Sequence, residues 1–585
     1  MNSFSPLITR GNARILMRTL VFALVTTLVA GVLSVRAQNM QDMPGMDMGT
    51  HQAKPKAKKK PAPQKKKTES ATKKENMDDM GMTGMPMPIP SPSALPSPGT
   101  SHEDIEKMSE ITMPAPSPSP SPEPSPSPQM QMEMPGEKGT ARMSESDPTA
   151  LMVMSDNAMD IRLGANSRNT INMGQMGSGT SWQPATTPMH MWYKNVNGWL
   201  LFLHGDLKLG VNSQGGRRGI TKFESQNWIM PMAFRRIGPG TLQLRGMFSI
   251  EPFTFSPGGS PELFQTGESY KGQPLIDKQH PHDLLMELSA TYTVPLGERA
   301  SWFTYFGYPG EPALGPVAFM HRWSASENPS APLSHHLQDS THITFGVFTT
   351  GFTYRKFKVE GSVFNGREPD ENRYNFDAGK WDSHSVRVSY SPNPKWSTQW
   401  SYGVLRSPEG LEPDVNQRRM TASIQYNRPF DRGNWSSALI WGRNHLYGGG
   451  ETANLNGYTA ESTVNFQDKN YLYTRLELVD KNELLSVTDR NRLGISALHP
   501  SFRIGAYTAG YARDVANTDL FSMALGSDVT FYSMPATLNP IYGSNPVSYK
   551  FFFRIRPSKM SVNSHGHNMG TKPAASHGEG MAEHP

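Results

Sequence analysis

Cysteine is absent from all 585 residues, which removes disulfide scaffolds, thiolate metal sites and thiol nucleophiles together. Charged residues are scarce at 18%, and hydrophobic ones reach only 36%, too few for a set of compact soluble domains. Long apolar runs are missing as well. The one candidate, Leu20–Leu33, is shorter than the ~20 residues a spanning helix needs. No glycine-rich phosphate cradle occurs, and the adjacency Ser334-His335 lacks the geometry of a nucleophile and its base, so no enzyme is expected. The formal charge of +6 comes mostly from the run Lys54–Lys74. Without interleaved aromatics that run reads as solvated linker drawn to peptidoglycan or other anions, and nucleic acid is not an expected partner.

What is present begins with an export signal. Arg10, Arg14 and Arg18 precede Leu20–Leu33, and Val35-Arg36-Ala37 sets small residues at the cleavage positions. Residues 1–37 therefore read as a signal peptide cut after Ala37. From 38 to 180 the chain is rich in Met, Lys, Pro and Ser, including the Pro–Ser alternation Pro114–Pro128. That composition cannot bury enough apolar surface to fold, so a long disordered extension is expected.

The pattern changes at Thr180-Ser181-Trp182-Gln183-Pro184. In Asn545–Pro557, Val547, Tyr549, Phe551, Phe553 and Ile555 share one face, while Lys550, Phe552, Arg554 and Arg556 share the other. Such a period-2 segment suits lipid on its aromatic side and a polar lumen on its charged side. Similar segments fall near 198–209, 223–234, 241–250, 284–294, 301–307, 342–353, 356–364, 384–391, 396–405, 420–428, 434–442, 458–466, 471–480, 500–511, 520–532 and 546–556. The fold expected for 181–557 is an all-β transmembrane antiparallel barrel of about 16 strands, with 14–18 allowed. No blade-length repeat supports a soluble propeller. In the segment at 284–294, Leu284, Met286, Leu288, Ala290, Tyr292 and Val294 are expected to face lipid, with Glu287 toward the lumen. Two long connections, 251–283 and 308–341, are expected to lie outside the cell or to fold into the lumen. A short disordered tail is expected over 558–585.

Methionine carries the chemistry of the extensions. Met40, Met43, Met46 and Met48, with His51 nearby, are followed by Met77, Met80, Met82, Met85 and Met87, and then by Met130, Met132 and Met134. Thioether sulfur is a soft, uncharged donor that prefers Cu(I), and several on a flexible chain can close around one ion. His565, His567 and Met569 add imidazole beside thioether, a mixture able to take either copper oxidation state. Copper ions are thus the expected ligand, with no other cofactor. Within the barrel, His280, His282, Asp283 and Glu287, then His321, His335, His336 and His342, are candidates for a mouth-level metal site or a lumen constriction. His342 is expected to point into the lumen from a strand.

The segments Thr180–Pro184, Gln279–Tyr292, Pro309–Pro316, Phe319–Arg322, Ser334–Gly346 and Gly366–Tyr374 resemble a family of bacterial outer-membrane proteins. That resemblance spans 180–557 and implies a Gram-negative outer-membrane location and a barrel, not an activity. The extensions are similar to those of CopB/PcoB-type copper-resistance outer-membrane proteins, whereas the barrel segments do not follow that family's pattern. The likeness of the extensions implies copper tolerance. Outer-membrane lipid and metal ions are the expected partners, with peptidoglycan or periplasmic copper proteins as further ones. The alternatives are a general or small-solute porin whose methionines are incidental, or a surface or peptidoglycan interaction protein.

Overall fold

The computed structural model describes residues 150–155, 158–164 and 167–560. Seventeen strand segments close into one antiparallel barrel. Two of them, Met191–Val196 and Val547–Pro557, lie end to end along Trp199–Ser213 and share a single position, so the wall is sixteen strands around. The first of these joins Trp199–Ser213 through the turn Asn197-Gly198, whose positive φ values of 50° and 78° match the twist of a two-residue hairpin. Each of the sixteen segments expected from the alternation is present. Three consecutive strands overrun those expectations: Val415–Phe430, Gly433–Gly448 and Glu451–Phe466 continue well past their apolar stretches. There the hydrogen-bonded ladder persists although the lipid-facing pattern has ended.

Side-chain alternation places apolar groups outward. Leu288, Trp400, Leu439, Leu472, Leu525 and Phe551 are all exposed on the outer wall. A continuous apolar belt on a closed sheet with no free edge is a surface made for lipid. No helix among the described residues is long and apolar enough to cross a membrane; the strands do so instead.

One expected facing is wrong. The ladder between Leu285–Pro295 and Gly240–Phe248 shifts register between Leu285 and Glu287. This bulge turns Met286 inward, where it is 1% exposed, while Leu288 resumes the outward phase. A second difference lies at 342–353, where the strand starts only at Val347. Gly346, at φ 101°, breaks the extended run, and His342 sits in a 3-10 turn, Ser340–His342.

The lumen is filled from both ends. At the end with short turns, the boundary expected at 180 falls about thirty residues late. Met152–Ser155, Ala158–Arg162 and Thr170–Asn172 form a small antiparallel sheet, and the chain after them enters the barrel. Asn169 Nδ2 donates to the Ala300 carbonyl at 2.7 Å, and the Thr186 amide donates to that of Pro394 at 3.0 Å. This short apolar sheet escapes composition-based reading because Met159 and Ile161 find their partners on the barrel wall rather than nearby in sequence.

From the other end, both long connections fold inward. The first carries the hairpin Ser260–Tyr270 with Gln273–Gln279. The second carries the short helix His335–Gln338 and three 3-10 turns. Buried ion pairs bolt the second to the wall. Arg322 donates to Glu461 at 2.8 Å and to Asp339 at 2.6 Å. Glu327 accepts from Arg556 at 2.9 Å and also from Arg554, which in turn reaches Asp514 at 2.5 Å. The two fillings meet where the Ala318 amide donates to Ser178 Oγ at 2.8 Å.

Candidate functional site

Two groups of metal-donor side chains occupy this filled lumen. The first is an array of five histidines on the inward loops. His280 and His282 follow the hairpin, His335 and His336 open the helix His335–Gln338, and His342 ends the next 3-10 turn. Ring centroids lie 5.7 Å apart for His280 and His336, 5.3 Å for His335 and His336, 5.1 Å for His335 and His342, and 5.4 Å for His282 and His342. Gly267 makes room for one of them: a Cβ there would stand 2.5 Å from the His336 ring.

Each ring is anchored. His282 Nδ1 meets Glu251 Oε2 at 2.8 Å, His335 Nδ1 meets Asp339 Oδ1 at 2.7 Å, and His342 Nδ1 meets the Asp339 carbonyl at 2.8 Å. An ionised carboxylate or a carbonyl only accepts, so Nδ1–H is the donor in all three contacts. Their Nε2 atoms are buried and without a hydrogen-bond partner. An imidazole held through Nδ1–H with its Nε2 lone pair open is the state in which histidine ligates a metal.

Burial holds His280, His335 and His342 below the ordinary histidine range, and neighbouring imidazoles add to it. Burial alone would raise the Asp339 carboxyl, but Arg322 and His335 hold it well below the usual range, ionised and ready to accept. Among the described residues no three His, Asp or Glu side chains are spaced as a closed metal site. The array is a set of adjacent open donors rather than a finished cage.

Of the other expected residues, Asp283 lies beside the array. It pairs with Arg373 at 3.5 Å, and burial pushes its carboxyl up to about 7. Arg373 also binds Glu268, whose Oε1 meets His280 Nε2 at 2.8 Å. Glu287 does not belong to the array. It forms an ion pair with Arg245 at 3.2 Å and accepts from Tyr305 at 3.0 Å and Ser289 at 2.7 Å, a bracing of the wall. His321 is also elsewhere, packed 4.7 Å from Trp228 and 6.0 Å from His204.

That second location is a cavity of about 160 Å³ toward the short-turn end. Met173, Met176, Met189, Met191, Met230, Met232 and Met320 line it, together with His190, His204, His282 and His321. Met230, Met232 and His204 were not among the candidates drawn from the sequence. The available signal was their even spacing on the lumen phase of neighbouring strands. The expected donors Met40, Met43, Met46, Met48, His51, Met77, Met80, Met82, Met85, Met87, Met130, Met132, Met134, His565, His567 and Met569 lie outside the described residues, as does the signal peptide.

No protein-family model matches the chain, and no curated protein matches it in sequence. Among solved structures it is similar to OmpT, an outer-membrane protein of Vibrio cholerae, in a loop-deletion form, at 9% identity over 62% of this chain and 100% of that one, TM-score 0.36. It is also similar to an anion-selective porin from Comamonas acidovorans, at 10% identity over 61% and 99%, TM-score 0.35. A third likeness is to Pseudomonas aeruginosa OpdL, at 11% identity over 62% and 99%, TM-score 0.32. At these values the likenesses add nothing to what the strand pairing already establishes.

Proposed function

We propose that this chain is an outer-membrane barrel of a Gram-negative bacterium serving copper tolerance, without enzymatic activity. The methionine- and histidine-rich extensions bind Cu(I) and Cu(II), and the lumen holds copper ions or passes them one at a time. The observation that carries the reading is the trio His282, His335 and His342, each buried, anchored through Nδ1 and open at Nε2. Open, neighbouring imidazoles that do not close into one cage suit an ion that must arrive and leave. A sixteen-strand wall is wide enough for a general porin. Here, however, both long loops and the segment after residue 150 occupy that width, and charged bridges fasten them. This filling favours a narrow, selective route over general permeation.

The test uses a deletion strain carrying the full gene in three forms. In one, Met40, Met43, Met46, Met48, Met77, Met80, Met82, Met85 and Met87 become Leu, which keeps bulk and removes sulfur. In the second, His282, His335 and His342 become Gln. The third is unaltered. The reading expects copper sensitivity in both altered strains, with heat-modifiable gel migration showing normal barrel assembly. Equal tolerance in all three strains and in the deletion itself hands the case to the porin reading.

A further inference from the structure

The methionine-lined cavity contains a more specific arrangement than its composition alone conveys. Met191, His204 and Met230 are direct register partners on three adjacent strands, Met191 opposite His204 and His204 opposite Met230. Directly opposed residues of an antiparallel ladder have Cβ atoms roughly 4.5–5.5 Å apart. The three side chains thus form a row, thioether, imidazole, thioether, across the lumen face of the wall. All three line the cavity, with Met191 8% and Met230 2% exposed. The Nε2 atom of His204 is buried there with no hydrogen-bond partner. Trp228, two residues before Met230 on the same face, stands edge-on to His204 at 5.1 Å. Met320 and His321 arrive from the inward loop on the 3-10 turn Phe319–His321 and face the row across the cavity.

We propose that Met191, His204 and Met230 form a binding site for a soft monovalent cation of closed d-shell, Cu(I) or Ag(I). Two thioethers and one imidazole are the donors such an ion prefers, and no hard carboxylate is needed to complete the set. The donors themselves are neutral, and the charged groups that line the same cavity are of both signs, among them Asp206, Glu251 and Glu262 against Lys208, Arg245 and Arg556. The preference for a closed-shell monovalent ion therefore rests on the softness of the donors. Trp228 lies close enough to the row to report on an ion bound there. Met320 and His321 supply additional donors across the same cavity.

This site deepens the copper reading and rests on it only for its biological sense. The experiment is therefore made on binding, in the full chain purified in detergent. The parent form carries Leu at the twelve methionines Met40, Met43, Met46, Met48, Met77, Met80, Met82, Met85, Met87, Met130, Met132 and Met134, and Ala at His51, His565 and His567, so that the extensions contribute little. Cu(I) under anaerobic conditions, and Ag(I) separately, are titrated against a competing chromophoric chelator while tryptophan emission is followed.

The expected result is a tight Cu(I) site that quenches tryptophan emission in the parent, with no such quench by Zn(II). Met191→Leu with Met230→Leu should weaken it by at least about a hundredfold, the upper end of what even an outer partner of a metal ligand costs when removed. Trp228→Phe should retain binding and lose most of the quench. Heat-modifiable migration confirms that the double variant is assembled; if it is not, Met230→Leu alone is used. Cu(I) affinity unchanged in an assembled variant overturns the site, as does a parent form that binds no Cu(I). A strain that tolerates copper without the gene sinks the tolerance reading while leaving this titration to stand on its own.

Discussion

The two donor groups of the lumen are held in opposite ways. The histidine array rides on loops, and its geometry is set by side-chain anchors: Glu251 and Asp339 for the rings, Arg322 for Asp339 itself. The row Met191, His204 and Met230 is set by strand register, fixed by main-chain hydrogen bonds along the wall. A loop-borne site can loosen without disturbing the barrel, whereas a wall-borne site can change only if the ladder slips. The difference suits a rigid holding place behind an adaptable entrance.

The largest effect that would sharpen this contrast comes from Arg322. It is fully buried between Asp339 and Glu461, so Arg322→Met removes the cation they share and leaves Asp339 with His335 alone and Glu461 with Arg475. Breaking a buried pair in this way costs on the order of 3–5 kcal/mol. We expect the connection 308–346 to become protease-sensitive in the assembled protein while the barrel still migrates as folded. If the barrel itself fails before the loop does, the independence of loop and wall is wrong.

A smaller step is Asp339→Asn. The amide still fills the space, but its oxygen is a weaker acceptor for His335 Nδ1–H, and the Arg322 ion pair is lost. Changing such an outer partner typically lowers metal affinity by about 10–100-fold. Cu(II) binding to the array should fall in that range by competition titration, with Cu(I) binding at the wall row moving far less. Equal losses at both would mean that the two groups form one site.

The smallest effect is that of pH. His280, His335 and His342 have folded pKa values depressed below the unfolded value of about 6.5. As pH falls below that value, the unfolded loops bind protons that the folded loops refuse, so the stabilisation is present above it and is lost on acidification. Going from pH 7.5 to 5, hydrogen exchange corrected for intrinsic rate should speed up in residues 280–283 and 335–342. It should stay constant in Trp199–Ser213. Acceleration in both, or in neither, would remove the distinction.

Much of the wall was legible because lipid on one side and polar groups on the other impose a period of two over every strand. Lys550, Arg554 and Arg556 are buried and Tyr549 and Phe551 exposed, as their alternation required. Met286 was misassigned because a bulge adds one residue without leaving a mark in the pattern. His280, His282, His335, His336 and His342 were flagged separately, and their convergence depends on loops folding inward, which local sequence does not encode. The row escaped notice for a related reason. Met191, His204 and Met230 are far apart in sequence and become neighbours only through register.

Closure of the barrel by a shared strand position also has a consequence for reach. Val547–Pro557 and Met191–Val196 complete the same strand, and just past them the Met560 amide donates to the Met189 carbonyl at 2.9 Å. Met560, the last described residue, is therefore held beside the cavity's own lining. Any ligand carried on the chain beyond it starts from that point, and its reach grows by at most about 3.6 Å per residue.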